Sequence, residues 1–588
     1  MNIAVVTRSI KDFNEIKIKK SLKNATPYLW TPDFSQYQDN VCLAESFGDG
    51  IDKSIVANAT DEIHQSLKNW YKDSEGNDLS EIDGISLGLT FESSLEIMFY
   101  NITQTYLSYK YLSSRYNKII ISESNDPIKT FVANWMNENE SEKFIFFNLK
   151  NQTKLRGKKA HPMSLFRDLR FLFQGSWFDS FISFLLLRVQ SRAKKSVYIM
   201  DAGKFDNFFQ YRKKIKNSNF KLLVPVRRNL NNIMGNLVFW QRAKAKSKNL
   251  QVTGLISDID QIGWSEKTLI VPKSLYKSSI KSFIYPYWPR AMSYFNHYLK
   301  IFKYFKPKLA VYGTDGVEGF ILSAYAAKQL NIATAMMPHG LALWSHSNMQ
   351  RNESCVFDYY LSTGNYDTNK YLKNGCNPIK LKDISLPWFS DSKFSIQDKI
   401  YEPKLKSKLN AILIPLDPGY SLQITASYLV KHLKDMIEVC EEIDINIVGV
   451  KLRDSGVVKA YGLKEGENHI FGKKINIISG YGTLNNLFEK IDMAIGPVSS
   501  ATIECSLVKI PYYAYHDYSI YCSNPNIGTA YLKDTIYFAS NKKELKNNIT
   551  NQLSYKKNMN VNSIINTEKG FDKSCSHLED TFTEILET

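Results

Sequence analysis

Short runs of β-branched and aliphatic residues recur along this chain, each followed by a longer stretch with helical spacing. That alternation restricts the fold to α/β layers around parallel sheets. In the first half the strand candidates are Ile3–Val6, Lys118–Ser122, Phe144–Asn148, Ser196–Met200, Leu222–Val226, Leu269–Val271 and Leu309–Tyr312. A long helix is predicted over about 93–116, because Leu95, Met98, Phe99 and Ile102 fall on one helical face. The second half restarts the pattern with Ala411–Pro415, Ile447–Val450, Ile475–Ile478, Met493–Ile495 and Tyr512–Ala514.

A chain of 588 residues is too long for one simple module. The pattern predicts two Rossmann-like domains facing an interdomain cleft. The N-terminal one covers 1–385 and carries a basic aromatic insertion at about 150–216; a polar, weakly periodic linker follows at 386–408. The C-terminal domain covers 409–566. Residues 567–588 have helical spacing at Phe571, Leu578, Phe582, Ile585 and Leu586, a pattern suited to packing back across the domain boundary.

Charge is concentrated. Residues 150–216 hold 16 Lys and Arg against 4 Asp, which is most of the chain's net charge of +17. A positive chain favours polyanionic partners: nucleic acid, anionic lipid or nucleotide-linked substrates. No recognised RNA- or DNA-binding motif accompanies these residues, so a nucleic-acid partner is not expected. The run Phe171–Leu187 is broken by Gln174 and Asp179 and falls short of the ~20 residues that a membrane span needs. With cations on both flanks it reads either as a buried helix beside a basic loop or as an element lying on an anionic membrane.

The 7 cysteines are scattered and form no CxxC pair, so neither a disulfide framework nor a zinc site is expected. A reducing cytoplasm suits them. The start, MNIAVVTRSI, reads as a buried strand and a polar turn rather than a secretory leader.

Three places combine reactive or charged residues with strand ends, where the ligands of parallel sheets bind. The strand LAVY ends in Gly313-Thr314-Asp315-Gly316, with Glu318 on the first turn of the helix that follows, and the strand IATAMM ends in Pro338-His339-Gly340. Asp315 either caps that helix or supplies a carboxylate base or nucleophile. His339 either satisfies a turn carbonyl or serves as base or anion ligand. The strand MAI breaks at Gly496-Pro497, and Ser499-Ser500 open a helix whose N–H groups and dipole suit a phosphate; Glu504, a turn further on, suits the hydroxyls of a ribose. The strand IVGV ends in Lys451 and Arg453, cations matched to a departing phosphate. Pro415–Gly419 forms a further turn on the same edge. Glu92, at a predicted helix start, and Glu123, at a strand end, are weaker candidates for contact with an acceptor.

The order of TDG (Thr314–Gly316), PHG (Pro338–Gly340), AILIPL, VKLR and GPVSSATIE resembles that of GT-B glycosyltransferases that build bacterial capsule and lipopolysaccharide glycans. Within that class it is similar to Kdo transferases and the sialyl- and polysialyltransferase-like group, where a Ser-Ser or Ser-Thr pair holds CMP. Where that group has Lys-x-His-Pro, this chain reads Lys451-Leu452-Arg453-Asp454. The resemblance implies a metal-independent enzyme without a resident cofactor, on the cytoplasmic membrane face. Lys451, Arg453, Gly496, Ser499, Ser500 and Glu504 would bind a CMP-linked acidic sugar donor. Asp315, His339 and Glu318 would act on the anomeric carbon of that sugar, in an inverting or a retaining reaction, and the acceptor would be a glycan or lipid-linked glycan. A CDP-glycerol or CDP-ribitol phosphotransferase and a UDP-sugar epimerase of GT-B shape are the alternatives.

Overall fold

A computed structural model describes, apart from single positions within these ranges, residues 2–30, 34, 44–122, 127–140, 143–147, 196–200, 208, 211–212, 220–223, 270–284, 288–313, 318–337, 356–364, 368–372, 376–384, 408–416, 426–480, 484–516, 537–553 and 571–588. The described strands form three large sheets.

In the first sheet β1 (Ile3–Thr7), β2 (Ala25–Leu29), β3 (Glu45–Ser46), β4 (Lys118–Ser122) and β5 (Phe144–Phe147) pair in parallel, in the order β3-β2-β1-β4-β5. Alternate residues face opposite sides of a strand. Val5 and Ile120 therefore pack against Phe13 and Ile16 of α1 (Ile10–Lys19). Ala4, Val6, Ile119 and Ile121 face α3 (Leu87–Arg115) and α4 (Pro127–Asn139), with α2 (Lys53–Lys68) packed beside α3.

The second sheet contains β6 (Ser196–Ile199), β7 (Lys221–Leu223), β8 (Leu309–Tyr312), β9 (Ala333–Met336), β10 (Tyr359–Ser362) and β11 (Leu381–Asp383), all parallel, in the order β11-β10-β9-β8-β6-β7. One face, with Tyr198, Ala310, Tyr312 and Met336, joins the same apolar core as the first sheet. α5 (Lys273–Ser279), α6 (Trp288–Phe305) and α7 (Glu318–Lys328) pack into that core too. The first two sheets are thus halves of one N-terminal unit.

The third sheet has its own core. Its strands are β12 (Asn410–Leu413), β13 (Asn446–Leu452), β14 (Gly466–Ile470), β15 (Lys473–Ser479), β16 (Met493–Gly496), β17 (Tyr512–Tyr515) and β18 (Tyr537–Ala539), in the order β14-β15-β13-β12-β16-β17-β18. β14 pairs antiparallel with β15 in a hairpin, and the six strands other than β14 are parallel in the doubly wound order 3-2-1-4-5-6. Leu429, Leu433, Met436 and Ile437 of α8 (Ala426–Glu442) and Leu545 and Ile549 of α11 (Lys542–Leu553) seal one face. The short helices α9 (Ser455–Ala460) and α10 (Ser500–Leu507) follow β13 and β16.

After the third sheet the chain returns to the second. Cys575, Leu578, Phe582 and Ile585 of α12 (Phe571–Glu587) lie against Val197, Ile199, Leu309, Val311, Ala335 and Leu361, on the sheet face opposite α6 and α7. The second and third sheets make the GT-B-like pair of Rossmann-like units, and the first sheet adds a third parallel layer to the N-terminal unit.

Two expectations are corrected. Ile270 and Val271 form a bend before α5 rather than a strand; Val271 is buried in the common core, so its apolar character serves packing and not pairing. The long helix begins at Leu87, where the Ser86 hydroxyl accepts from the Leu89 N–H at 3.1 Å. Glu92 therefore lies in the second turn and not at a helix start. The 386–408 connection lies outside the described residues except for Lys408, and so does the 150–216 segment except for 196–200, 208 and 211–212.

Candidate functional site

In a doubly wound sheet the crevice opens where strand order reverses, outside the carboxyl ends of the strands. In the third sheet that point lies between β12 and β16. The two strands approach so closely that a Cβ on Gly496 would sit 2.3 Å from the carbonyl oxygen of Ile414, so only glycine fits at the end of β16. A Gly496→Ala variant is expected to lose about 1–3 kcal/mol, the usual cost of forcing an atom into packed backbone. Thermal unfolding reads that loss, and any nucleotide-induced stabilisation should fall with it.

The Gly-Pro-Val-Ser-Ser turn is held from within. Ser499 Oγ accepts from the Ala501 N–H at 3.3 Å, and the Ser499 N–H donates to Thr502 Oγ1 at 3.1 Å, a reciprocal cap of α10. Tyr512, on the neighbouring β17, donates its hydroxyl to Pro497 O at 2.5 Å. The Ser499 hydroxyl is thus a structural cap. Ser500 is the first residue of α10, where the dipole favours an anion.

Glu504 lies one turn into α10, half-buried, and its partial burial raises its carboxyl above the ordinary range while the charge of Lys451 pulls it back. Lys451, on β13, thus lies within electrostatic reach of Glu504, on α10, across the switch point. Lys451 Nζ also donates to Leu452 O at 3.1 Å. Arg453 turns its Nε to Asp454 Oδ2 at 2.9 Å, and Asp454 caps α9 by accepting from the Gly456 and Val457 N–H groups. Asp454 is held below its usual range first by that Arg453 bond and then by the backbone donors. The edge thus presents a helix N-terminus, two cations and a half-buried carboxyl, groups suited to a phosphate and a pair of hydroxyls.

Behind this edge two histidines are buried. His516, directly after β17, has Nδ1 2.9 Å from the Tyr428 hydroxyl, and His432 of α8 has Nε2 2.8 Å from Tyr515 O. The His432 ring stacks on Tyr515 at 5.0 Å, and the Tyr515 hydroxyl donates to Asp435 Oδ2 at 2.6 Å. Nothing in the sequence signals this pair, because the two histidines stand in unrelated segments. Thr502 and Tyr512 were missed for a similar reason: neither residue type suggests a turn support without knowledge of the strand pairing.

Of the other sequence candidates, Asp315, His339 and Glu123 lie outside the described residues. Glu318 is the first residue of α7, and Glu92 is half-buried in α3. Among the described residues no three acidic, His or Cys side chains converge as a metal site, and no helix is long and apolar enough to cross a membrane.

No protein-family model matches the sequence, and no curated protein matches it. Similar solved structures exist. UDP-GlcNAc 2-epimerase from Neisseria meningitidis bound to UDP-GlcNAc is 11% identical, covering 66% of this chain and 99% of its own, with a TM-score of 0.40. A putative UDP-N-acetylglucosamine 2-epimerase from Listeria monocytogenes is 11% identical over 67% of this chain and 98% of its own, at 0.42. The apo lipopolysaccharide outer core galactosyltransferase WaaB is 10% identical over 66% and 99%, at 0.35. Likeness of this degree assigns no activity to the chain, and the fold rests on its own strand order.

Proposed function

We propose that the chain is an enzyme that binds a nucleotide sugar at the carboxyl edge of the third sheet and transfers the sugar to a bacterial surface glycan or its lipid-linked precursor. The observation that carries this reading is the convergence, at the β12/β16 switch point, of the α10 N-terminus, Lys451 and the half-buried Glu504, beside a glycine whose missing side chain lets the two strand ends close up. Phosphate oxygens would take the N–H groups of α10 with Ser500, and the charges of Lys451 and Arg453 would offset the charge that develops on the departing nucleotide. Glu504 would accept from the ribose hydroxyls. This supports transfer without a metal ion. The sequence resemblance supports a CMP-linked acidic sugar such as Kdo or a sialic-acid-like sugar as donor. It also supports Asp315, His339 and Glu318 as the groups acting at the anomeric carbon. The basic 150–216 segment suits peripheral contact with the anionic inner face of the cytoplasmic membrane.

Thermal unfolding with CMP, CDP, UDP and GDP tests the donor site, because a ligand that binds only the folded state raises the midpoint. Stabilisation by CMP, lost in Ser500→Ala and Glu504→Ala, is the expected result. Stabilisation by UDP alone, with turnover of UDP-sugar in the absence of acceptor, would replace transfer by epimerisation. Selective stabilisation by CDP, with release of CMP from CDP-glycerol or CDP-ribitol, would replace it by polyol phosphate transfer. No stabilisation by any of the four would remove the site.

A further inference from the structure

Among the described residues, the first-sheet unit reaches the third sheet through Phe34 and Asp49, and both contacts fall on the elements that flank the β12/β16 switch point. Phe34 follows β2 at the carboxyl edge of the first sheet, yet its side chain is 0% exposed and belongs to the apolar core of the third sheet. Its N–H donates to Tyr461 O at 3.0 Å. Its ring stacks on Tyr461 with centroids 5.2 Å apart and meets Phe471 edge-on at 5.8 Å. Tyr461 ends α9, the helix that starts just after Lys451 and Arg453, and its hydroxyl donates to Leu416 O on the chain leaving β12. The second contact runs from the Ser427 hydroxyl, in the first turn of α8, to the Asp49 carboxylate just past β3.

Leu416 and Ser427 are the two flanks of the β12–α8 connection. Loops from the first sheet therefore hold one flank through Tyr461 and the other directly. A bulky aromatic buried in a neighbouring unit's core fixes orientation more firmly than a surface ion pair, because moving it would expose apolar area and break a buried backbone hydrogen bond. Fixing these flanks before a ligand arrives removes part of the ordering cost from binding.

We propose that the first sheet is a positioning clamp on the donor edge. Phe34 and Asp49 fix, through Tyr461 and Ser427, both flanks of the β12–α8 connection and the strand end that bears Lys451 and Arg453. This assignment rests on the reading of that edge as the nucleotide site. Phe34 and Asp49 touch no substrate in it; they are positioning residues.

Peptide-resolved hydrogen exchange and nucleotide titration test the clamp in the full chain, with native protein, Phe34→Ala, Phe34→Leu, Asp49→Ala and Asp49→Asn, and with CMP and UDP as probes. In Phe34→Ala and Asp49→Ala, exchange is expected to quicken at least tenfold over 410–416, 426–433 and 455–461 while α11 keeps its native rate. Nucleotide dissociation constants should rise fivefold or more. Asp49→Asn should restore both, because its amide oxygen still accepts from Ser427. Asp49 sits in a solvent-exposed hydrogen bond, so its variants report even where Phe34→Ala fails to fold. Native exchange and native affinity in both Asp49→Ala and Phe34→Leu would overturn the clamp. Native exchange at the flanks with weakened binding would overturn it too. Loss of nucleotide binding by the native protein itself would instead overturn the donor-site reading, and the exchange pattern would still decide whether the first sheet holds these flanks.

Discussion

Acidification from pH 7.5 to 5 is expected to weaken the third-sheet unit by about 2 kcal/mol through His432 alone, with His516 adding to the loss. His432 is 3% exposed and His516 is 0% exposed. Burial depresses His432 to about 4 from the ordinary 6.5, against the upward pull of the Tyr515 carbonyl and Asp435 and with a small downward push from Lys431. Burial also depresses His516 well below its ordinary value, and His432 adds to it. Above pH 7 the rings are neutral in folded and unfolded chains alike, so they leave stability unchanged there. Between about 6.5 and 4 the unfolded chain takes up protons that the folded ring refuses, and stability falls as pH falls; the full loss for His432 is about 3 kcal/mol once both states are protonated. His432→Gln keeps an N–H able to donate to Tyr515 O but does not titrate. Urea unfolding at pH 7.5 and 5 should therefore show a smaller drop for the variant than for the native protein. Equal drops would mean that His432 is protonated in the fold.

The histidine pair also marks the limit of what sequence patterning can reach. Central strands such as KIIIS and LAVY are legible because both faces are buried and the runs are continuously apolar. β3, with two residues, and β11, Leu-Lys-Asp, carry no such pattern, since an edge strand is defined by the neighbour it pairs with. Without those edges the first half cannot be divided into two sheets, and the additional parallel layer stays hidden. In the site, the Gly-Pro break and the Ser pair after β16 are legible because turn and cap chemistry is local. The facing of Lys451 and Glu504 follows from strand order and the right-handed crossover rule. The support of the turn by Tyr512, the seat of Phe34 and the His432–His516 pair depend on side chains that meet only after the sheets assemble, and a tyrosine or a histidine alone does not announce its partner.

The returning helix shows how such assembly adds stability to the N-terminal unit. Phe582→Ala is expected to cost about 3–5 kcal/mol, the usual loss for a large aromatic removed from a packed core. Its ring is met edge-on by Phe208 at 5.7 Å and by Phe220 at 6.0 Å, and it packs among residues of β6, β8 and β9. Arg212 strengthens the seat, with its guanidinium on Glu579 of α12, a bond to Phe220 O at 2.6 Å, and the Phe220 ring beneath it. Lys382 of β11 bonds Glu584 at 2.6 Å further along the helix. With Phe582 truncated, α12 loses its central anchor, and the second sheet exposes the face that α6 and α7 do not cover. The expected result is a lower unfolding midpoint for the N-terminal unit, faster exchange over 571–588 and 309–312, and unchanged exchange in α8 and α11. Faster exchange in α8 and α11 as well would mean that the two units unfold as one. An unchanged midpoint would mean that α12 leaves this face readily.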